Sequence, residues 1–314
     1  MNATSTPDNP IVLNLQNSYG ALMIGSFFSC AVWGMSCLQV CWYFYHYGSS
    51  DRRSLKLLVV FLCIASTVDE ILLLECMWPV LILRWGKVEG LSVIQEGMVQ
   101  HVWLVGMISV CVQWFYLYRI YRFSGKRWLI PSIIAVISLW QLFVSIPQNI
   151  IIHRNHELAT LSLGPSVALN ISLRACSACV DIFIAVTMSY YMIKQGVPEL
   201  SHSQKMYFRL FLMTINTGMW TATIATLDFI LMAIYRDDLW YAIFESPLGS
   251  FYVGVLLANL NAREFIRGSE EIWHDMSTFR ISSFPPASHN TIPADGRLPA
   301  LCVTAQAGVS PLYS

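Results

Sequence analysis

Charge is what this chain has least of. Acidic and basic residues together make up only 12% of its 314 residues, against about a quarter in a typical soluble domain. The two signs cancel, and no basic tract or recognition motif is present, which argues against a nucleic-acid partner. Lysine is scarce in a telling way. Lys56, Lys87, Lys126, Lys194 and Lys205 all fall between apolar runs or at their ends. A retinal Schiff base needs a lysine in mid-bundle, so a rhodopsin-type pigment is not expected. Cysteine is missing from the predicted outer connections, so no disulfide is expected there.

Catalytic patterns are also missing. There is no Gly-rich phosphate loop and no nucleophile elbow. His101 is the only histidine inside a predicted helix, too few for a three-His intramembrane zinc site. Asp181 follows Val180 and Asp228 follows Leu227, unlike the motifs of intramembrane aspartyl proteases. Cys176 and Cys179 have redox or zinc spacing but sit in an apolar run without a second ligand pair, so helix packing is the better reading. His153, His156 and Glu157 have metal spacing on a loop without a rigid scaffold. The expectation is a protein that is not an enzyme and uses no metal or cofactor.

What the chain does have is apolar length, being 55% hydrophobic. A helix needs about 20 residues to cross the hydrocarbon core, and lipid leaves the backbone no other partner than itself. The runs Tyr19–Tyr45, Leu55–Trp78, Met98–Tyr121, Trp128–Ile152, Ser166–Ile193, Phe208–Tyr235 and Trp240–Leu260 meet that length. They predict an all-α, polytopic seven-transmembrane-helix bundle over residues 19–262. Residues 1–18 form a short outer segment, 263–277 a candidate interfacial helix and 278–314 a disordered tail rich in Pro, Ser and Thr. The first run lacks a basic leader and an Ala-x-Ala site, so it is expected to be retained.

Arginine and lysine set the orientation. They gather in the first, third and fifth connections, with Arg263 and Arg267 after the last run. The amino terminus is therefore predicted outside and the tail in the cytoplasm, in the plasma membrane or an endomembrane. Asn2-Ala3-Thr4 is a glycosylation sequon on the predicted outer side. Ala21, Gly25 and Ser29 recur every fourth residue, a small-residue ridge that lets a neighbouring helix approach.

Ionisable groups inside the membrane are costly and are candidates for function. Here they are Asp69, Glu70, Glu75, His101, Arg174, Asp181, Asp228 and Glu245. Counting about 1.5 Å per residue, Arg174 and Asp228 both lie roughly 10–12 Å from the outer end on consecutive helices. They are expected to form an ion pair. Asp181 lies deeper, and Gln113 at similar depth is placed to hydrogen-bond it. Asp69 and Glu70 are adjacent on one helix and point to different faces, at least one of them inward. A structural network that fixes helix register is the alternative to a ligand or ion site. Near the inner end, Arg119, Arg122, Lys126 and Arg127 are a candidate face for a cytoplasmic partner, with plain interfacial anchoring as the alternative. The acidic neighbour and the Asn-Pro-x-x-Tyr pattern of G-protein-coupled receptors are absent.

Several pieces together carry a resemblance. They are Gly20 to Gly25, Gln39 through Tyr43 and Phe44, Asp51, Lys56 to Val59, Asp69, Asn216-Thr217-Gly218 and Leu256 to Arg263. The chain resembles, over about residues 19–267, a large group of seven-helix membrane proteins from mushroom-forming fungi defined by a domain of unknown function. Two departures stand out: Glu70 follows Asp69 where Thr is usual, and Gly254 stands where Asn is frequent. The resemblance implies a membrane protein and supplies no activity. The leading expectation is a receptor-like protein. An outer polar cavity lined by Asp69, Arg174, Asp228 and Glu245 would bind a small ligand, and basic inner loops would meet a signalling partner. The alternatives are a proton- or cation-coupled transporter and a non-signalling scaffold.

Overall fold

The structure is a computed structural model, which describes residues 16–83, 93–154, 164–195, 202–236 and 238–263, with backbone alone at 16, 17, 192, 193, 195 and 202–217. Asn2, His156, Glu157, the expected interfacial helix and the expected tail lie outside the described residues. Helix α1 (Ala21–Tyr47) is entered through a wide π-type turn, Gln16–Gly20. Helix α2 (Arg53–Trp78) runs on through a second wide turn, Pro79–Leu83. Then come α3 (Glu96–Phe123), α4 (Leu129–Arg154), α5 (Gly164–Gln195) and α6 (His202–Ile234). Helix α7 (Ala242–Arg263) opens with one turn, Ala242–Glu245, breaks at Ser246 and Pro247, and resumes over 248–263.

Six of these segments are long and apolar enough to cross a bilayer: Ser18–Tyr47, Arg53–Leu83, Glu96–Phe123, Leu129–Arg154, Gly164–Tyr191 and Ala242–Arg263. The described apolar part of α6, Gly218–Ile234, is shorter. Apart from α6, which begins six residues before the expected Phe208, the largest departure from the predicted spans is at the end of α2, expected at Trp78 and found at Leu83. Proline cannot donate to the carbonyl four residues back and crowds it. Widening the turn at Pro79 relieves that crowding, so the helix continues where a stop was expected.

The side-chain distribution is that of a membrane bundle. Leu38 and Leu129 are each 73% exposed, while Asp69 is 0% and Gln113 1% exposed. Apolar residues cover the outside and polar ones face inward, which water would penalise and lipid requires. The polar residues also form a layer. One apolar cluster, including Tyr19, Leu22, Met77 and Met232, packs at the end where α1 begins. A larger one, including Tyr43, Leu62, Ile108, Met188 and Leu257, fills the rest. Asp69, His101 and Arg174 each fall in sequence between the members that their helix gives to the two clusters, and Asp228 and Glu245 lie where those members adjoin.

Helices α1 and α7 run parallel, and their contacts come in order along both. Gly25 lies against the Ala242 carbonyl, where a side chain would also meet the Ser246 hydroxyl at 3.0 Å. Ser36 donates to the Ser250 carbonyl at 3.3 Å, and Asn261 donates to the Gln39 carbonyl at 2.9 Å. The ridge of Ala21, Gly25 and Ser29 is buried and is where α7 approaches. Lipid supplies no hydrophobic drive between helices, so close backbone approach and hydrogen bonds must hold them.

Candidate functional site

Arg174 of α5 is the centre of the polar layer. Its guanidinium meets Asp228 of α6 at 2.5 Å and Glu245 of α7 at 2.7 Å. It also lies over the Tyr241 ring, 4.5 Å from the centroid. The ion pair with Asp228 is the one expected from depth alone. Glu245 makes it a triad of one cation and two carboxylates, all nearly sealed from solvent. The break in α7 at Ser246 and Pro247 directly follows Glu245.

The adjacent carboxylates of α2, Asp69 and Glu70, both point inward, one more than the minimum expected. Asp69 bonds His101 of α3 at 2.7 Å. Glu70 accepts from Ser29 of α1 and from Ser250 of α7, the latter at 3.1 Å. Both face the first turn of the long segment of α7, whose unpaired N–H groups favour negative charge. Among the described residues Asp69 Oδ2 has no hydrogen-bond partner, and it lies 2.9 Å from where a side-chain carbon on Gly249 would sit. Glycine at 249 is thus what admits the carboxylate. Glu75, also counted among the inner charges from sequence, is exposed.

Deeper in the bundle, Asp181 accepts from Gln113 of α3 at 2.9 Å, the expected contact, and from the Tyr252 hydroxyl of α7. Gln141 of α4 donates to the Gln113 side-chain oxygen at 3.1 Å, and Ser109 donates to Gln141 at 3.5 Å. Ser177 lies 3.4 Å from the Tyr252 hydroxyl. Four helices therefore share one hydrogen-bonded net.

At the opposite end from Tyr19, the basic residues separate. Arg122, Lys126 and Arg127 are exposed. Arg119 turns inward instead. It donates to Asn259 of α7 at 2.8 Å and stacks over Phe115 at 5.0 Å. Lys126 follows Gly125 in a left-handed turn, with φ 72° at Gly125 and 65° at Lys126. Nearby, Arg263 grips Asp51 with two bonds, of 2.6 and 3.0 Å, and Tyr43 adds a third at 2.8 Å. Burial alone would raise the Asp51 carboxyl. The hydrogen bonds from Arg263 and Tyr43, with the charges of Arg263 and Lys56, outweigh it and hold Asp51 below the usual carboxylate range.

Two small cavities adjoin the Arg174 triad. One, of about 20 Å³, lies among α3, α4, α5 and α7 and is lined by residues including Met98, Gln148, Asn170, Arg174 and Glu245. The other, of about 40 Å³, is lined by Ser109, Gln141, Arg174, Ser177, Asp228 and Glu245, among others. A water needs about 10–15 Å³ of such space, so each has room for one to a few waters. Both share Val102, Arg174 and Glu245. Of the four residues expected to line the outer cavity, Arg174, Asp228 and Glu245 do. Asp69 stands apart, because its bond to His101 draws it toward α3. Pro147 removes a backbone bond from α4 just before Gln148 and Asn149, which line the smaller cavity.

Sequence reasoning missed His101 as the partner of Asp69, Tyr252 as a donor to Asp181, and Asn259 as the acceptor for Arg119. A tyrosine inside an apolar helix needs a partner for its hydroxyl, and that signal was present at Tyr252. The pairings were not, since side-chain reach across tilted helices cannot be counted along one chain. Cys176 and Cys179 are free thiols, and among the described residues no group of three metal-ligating side chains comes together.

Apolar faces outward, six membrane-length helices and a charged interior define a multi-pass integral membrane protein. Residues 177–265, from the middle of α5 to the end of α7, match a family described as "Family of unknown function (DUF6534)". No curated protein and no solved structure matches the chain.

Proposed function

We propose that this is a seven-crossing, receptor-like protein that binds a small ligand at the Arg174 triad and signals through its basic inner end. In this reading the role is binding and signalling, not catalysis. Helix α6, 33 residues long, supplies the remaining crossing. The parallel α1 and α7 support an odd number of passes, and the clustering of Arg and Lys supports an outer amino terminus and a cytoplasmic tail. The resemblance to the fungal seven-helix group agrees with this. The observation that carries the proposal is the pair of cavities meeting at Arg174 and Glu245. A guest there competes for a guanidinium that joins α5, α6 and α7. Helix α7 then links that end to the other, because Asn259, Asn261 and Arg263 bond α3, α1 and the α1–α2 connection. An element with differential contacts at both ends is what ligand-driven switching requires.

The test needs no known ligand. A cysteine placed at Lys126 is labelled with an impermeant maleimide in inside-out vesicles. Asp228→Asn and Glu245→Gln should each change the labelling rate about fivefold or more. Lowered stability with an unchanged rate would instead indicate a scaffold. A proton- or cation-coupled carrier is the second reading. It is favoured by Asp181, which no cation bonds among the described residues.

A further inference from the structure

Asp181 is the buried acid that the ligand reading does not use. It is 4% exposed and, among the described residues, meets neutral donors alone: Gln113 from α3 and Tyr252 from α7. An unpaired carboxylate at that depth costs several kcal/mol. A counter-ion would remove that cost, and the hydrogen-bond directions specify which one fits.

The two carboxyl oxygens differ. Gln141 donates to the Gln113 oxygen, which turns the Gln113 amide so that its N–H faces Asp181 Oδ1. Oδ1 can therefore only accept. Oδ2 faces the Tyr252 hydroxyl, which can donate or accept. Tyr252 in turn meets Ser177, and either hydroxyl of that pair can be the donor. Ser177 lines the larger cavity, together with Ser109, Gln141, Arg174, Asp228 and Glu245. A chain of two hydroxyls of reversible direction thus joins Oδ2 to space for a few waters. The amide route through Gln113 cannot do this, since a neutral amide does not readily pass protons along.

We propose that Asp181 is a proton-binding site, loaded from water in this cavity through Ser177 and Tyr252. Before loading, Ser177 donates to Tyr252 and Tyr252 donates to the Asp181 carboxylate. A hydronium in the cavity gives its proton to Ser177 Oγ as Ser177 passes its own to Tyr252 and Tyr252 passes its own to Oδ2. Afterwards Asp181 donates to Tyr252, Tyr252 to Ser177, and Ser177 to water. One proton has moved, the hydronium has become water, and the carboxylate has become a neutral acid. The charged groups that also line the cavity, Arg174, Asp228 and Glu245, set the potential that the entering proton meets. This inference goes beyond the ligand reading and does not rest on it.

The experiment is infrared difference spectroscopy on the full chain in lipid nanodiscs, with the proton and D2O as the only probes. The expected result is a protonated-carboxyl carbonyl band that grows as pH falls and is lost in Asp181→Asn. After transfer to D2O its deuterium downshift should slow about tenfold or more in Ser177→Ala and in Tyr252→Phe. Ser177→Ala removes one hydroxyl and little volume, so it keeps the test valid if Tyr252→Phe does not fold. A band that persists in Asp181→Asn, or that is absent at every pH, would overturn the site. A band that exchanges equally fast in Ser177→Ala would overturn the route. The cysteine-labelling experiment reads none of these, so the two proposals fail separately.

Discussion

Replacing Arg174 by Met gives the sharpest test of how the polar layer is held together. Met keeps much of the side-chain volume and removes the charge. Asp228 and Glu245, 2% and 5% exposed, would then face each other with no cation between them. Breaking a buried pair by removing one partner costs about 3–5 kcal/mol, and here one substitution removes the partner of both acids. Asp228→Asn should be milder, about 1–2 kcal/mol, because Arg174 keeps Glu245 at 2.7 Å. Adding Asp228→Asn and Glu245→Gln to Arg174→Met should restore stability to within about 2 kcal/mol of the parent, since a neutral replacement of a buried ion cluster is often tolerated. Unfolding free energies of the reconstituted protein would measure all three. An Arg174→Met cost below about 1 kcal/mol, or a triple variant no better than the single one, would show that the triad is not what binds α5, α6 and α7.

Two further outcomes follow from the ends of α7. Gly25→Leu should separate α1 from α7, because its side chain would enter the Ala242 carbonyl and the Ser246 hydroxyl. A loss of about 1–3 kcal/mol or more is expected, read by the same unfolding measurement; unchanged stability would mean the ridge is not a packing face. At the other end, the Asp51 carboxyl is held low when folded. The stability it contributes is fully present above the unfolded carboxylate value of about 4 and is lost as pH falls through the lower folded value. Melting temperatures of the parent and Asp51→Asn should therefore converge in acid and diverge toward neutral pH. Parallel curves would show that the Arg263 grip adds nothing.

The ladder of crossings was legible because lipid imposes one rule on every residue within it: backbone groups must bond inside the helix, and the side chains outside must be apolar. Run length and the Lys and Arg pattern follow directly from that rule. Depth counting also found Arg174 with Asp228 and Gln113 with Asp181, because polar groups at equal depth on neighbouring helices have few other partners. It did not reach Arg119, which the sequence offered as part of a partner face or as an interfacial anchor. The residue sits in the last turns of α3, where facing outward to the headgroups and facing inward to Asn259 give the same sequence pattern.

The amino-acid sequence by itself determined that this chain lives in a membrane, with acids and one arginine hidden from the lipid, because hydropathy and charge are local properties summed along each helix. Only the tertiary structure decided that Glu245 shares Arg174 with Asp228, that His101 takes Asp69, and that Tyr252 and Ser177 join Asp181 to a water-sized space. Those choices depend on helix rotation and on the close approach permitted at Gly25 and Gly249, where the absence of one carbon atom sets the distance between elements more than two hundred residues apart (for Gly25 and Ala242) along the chain.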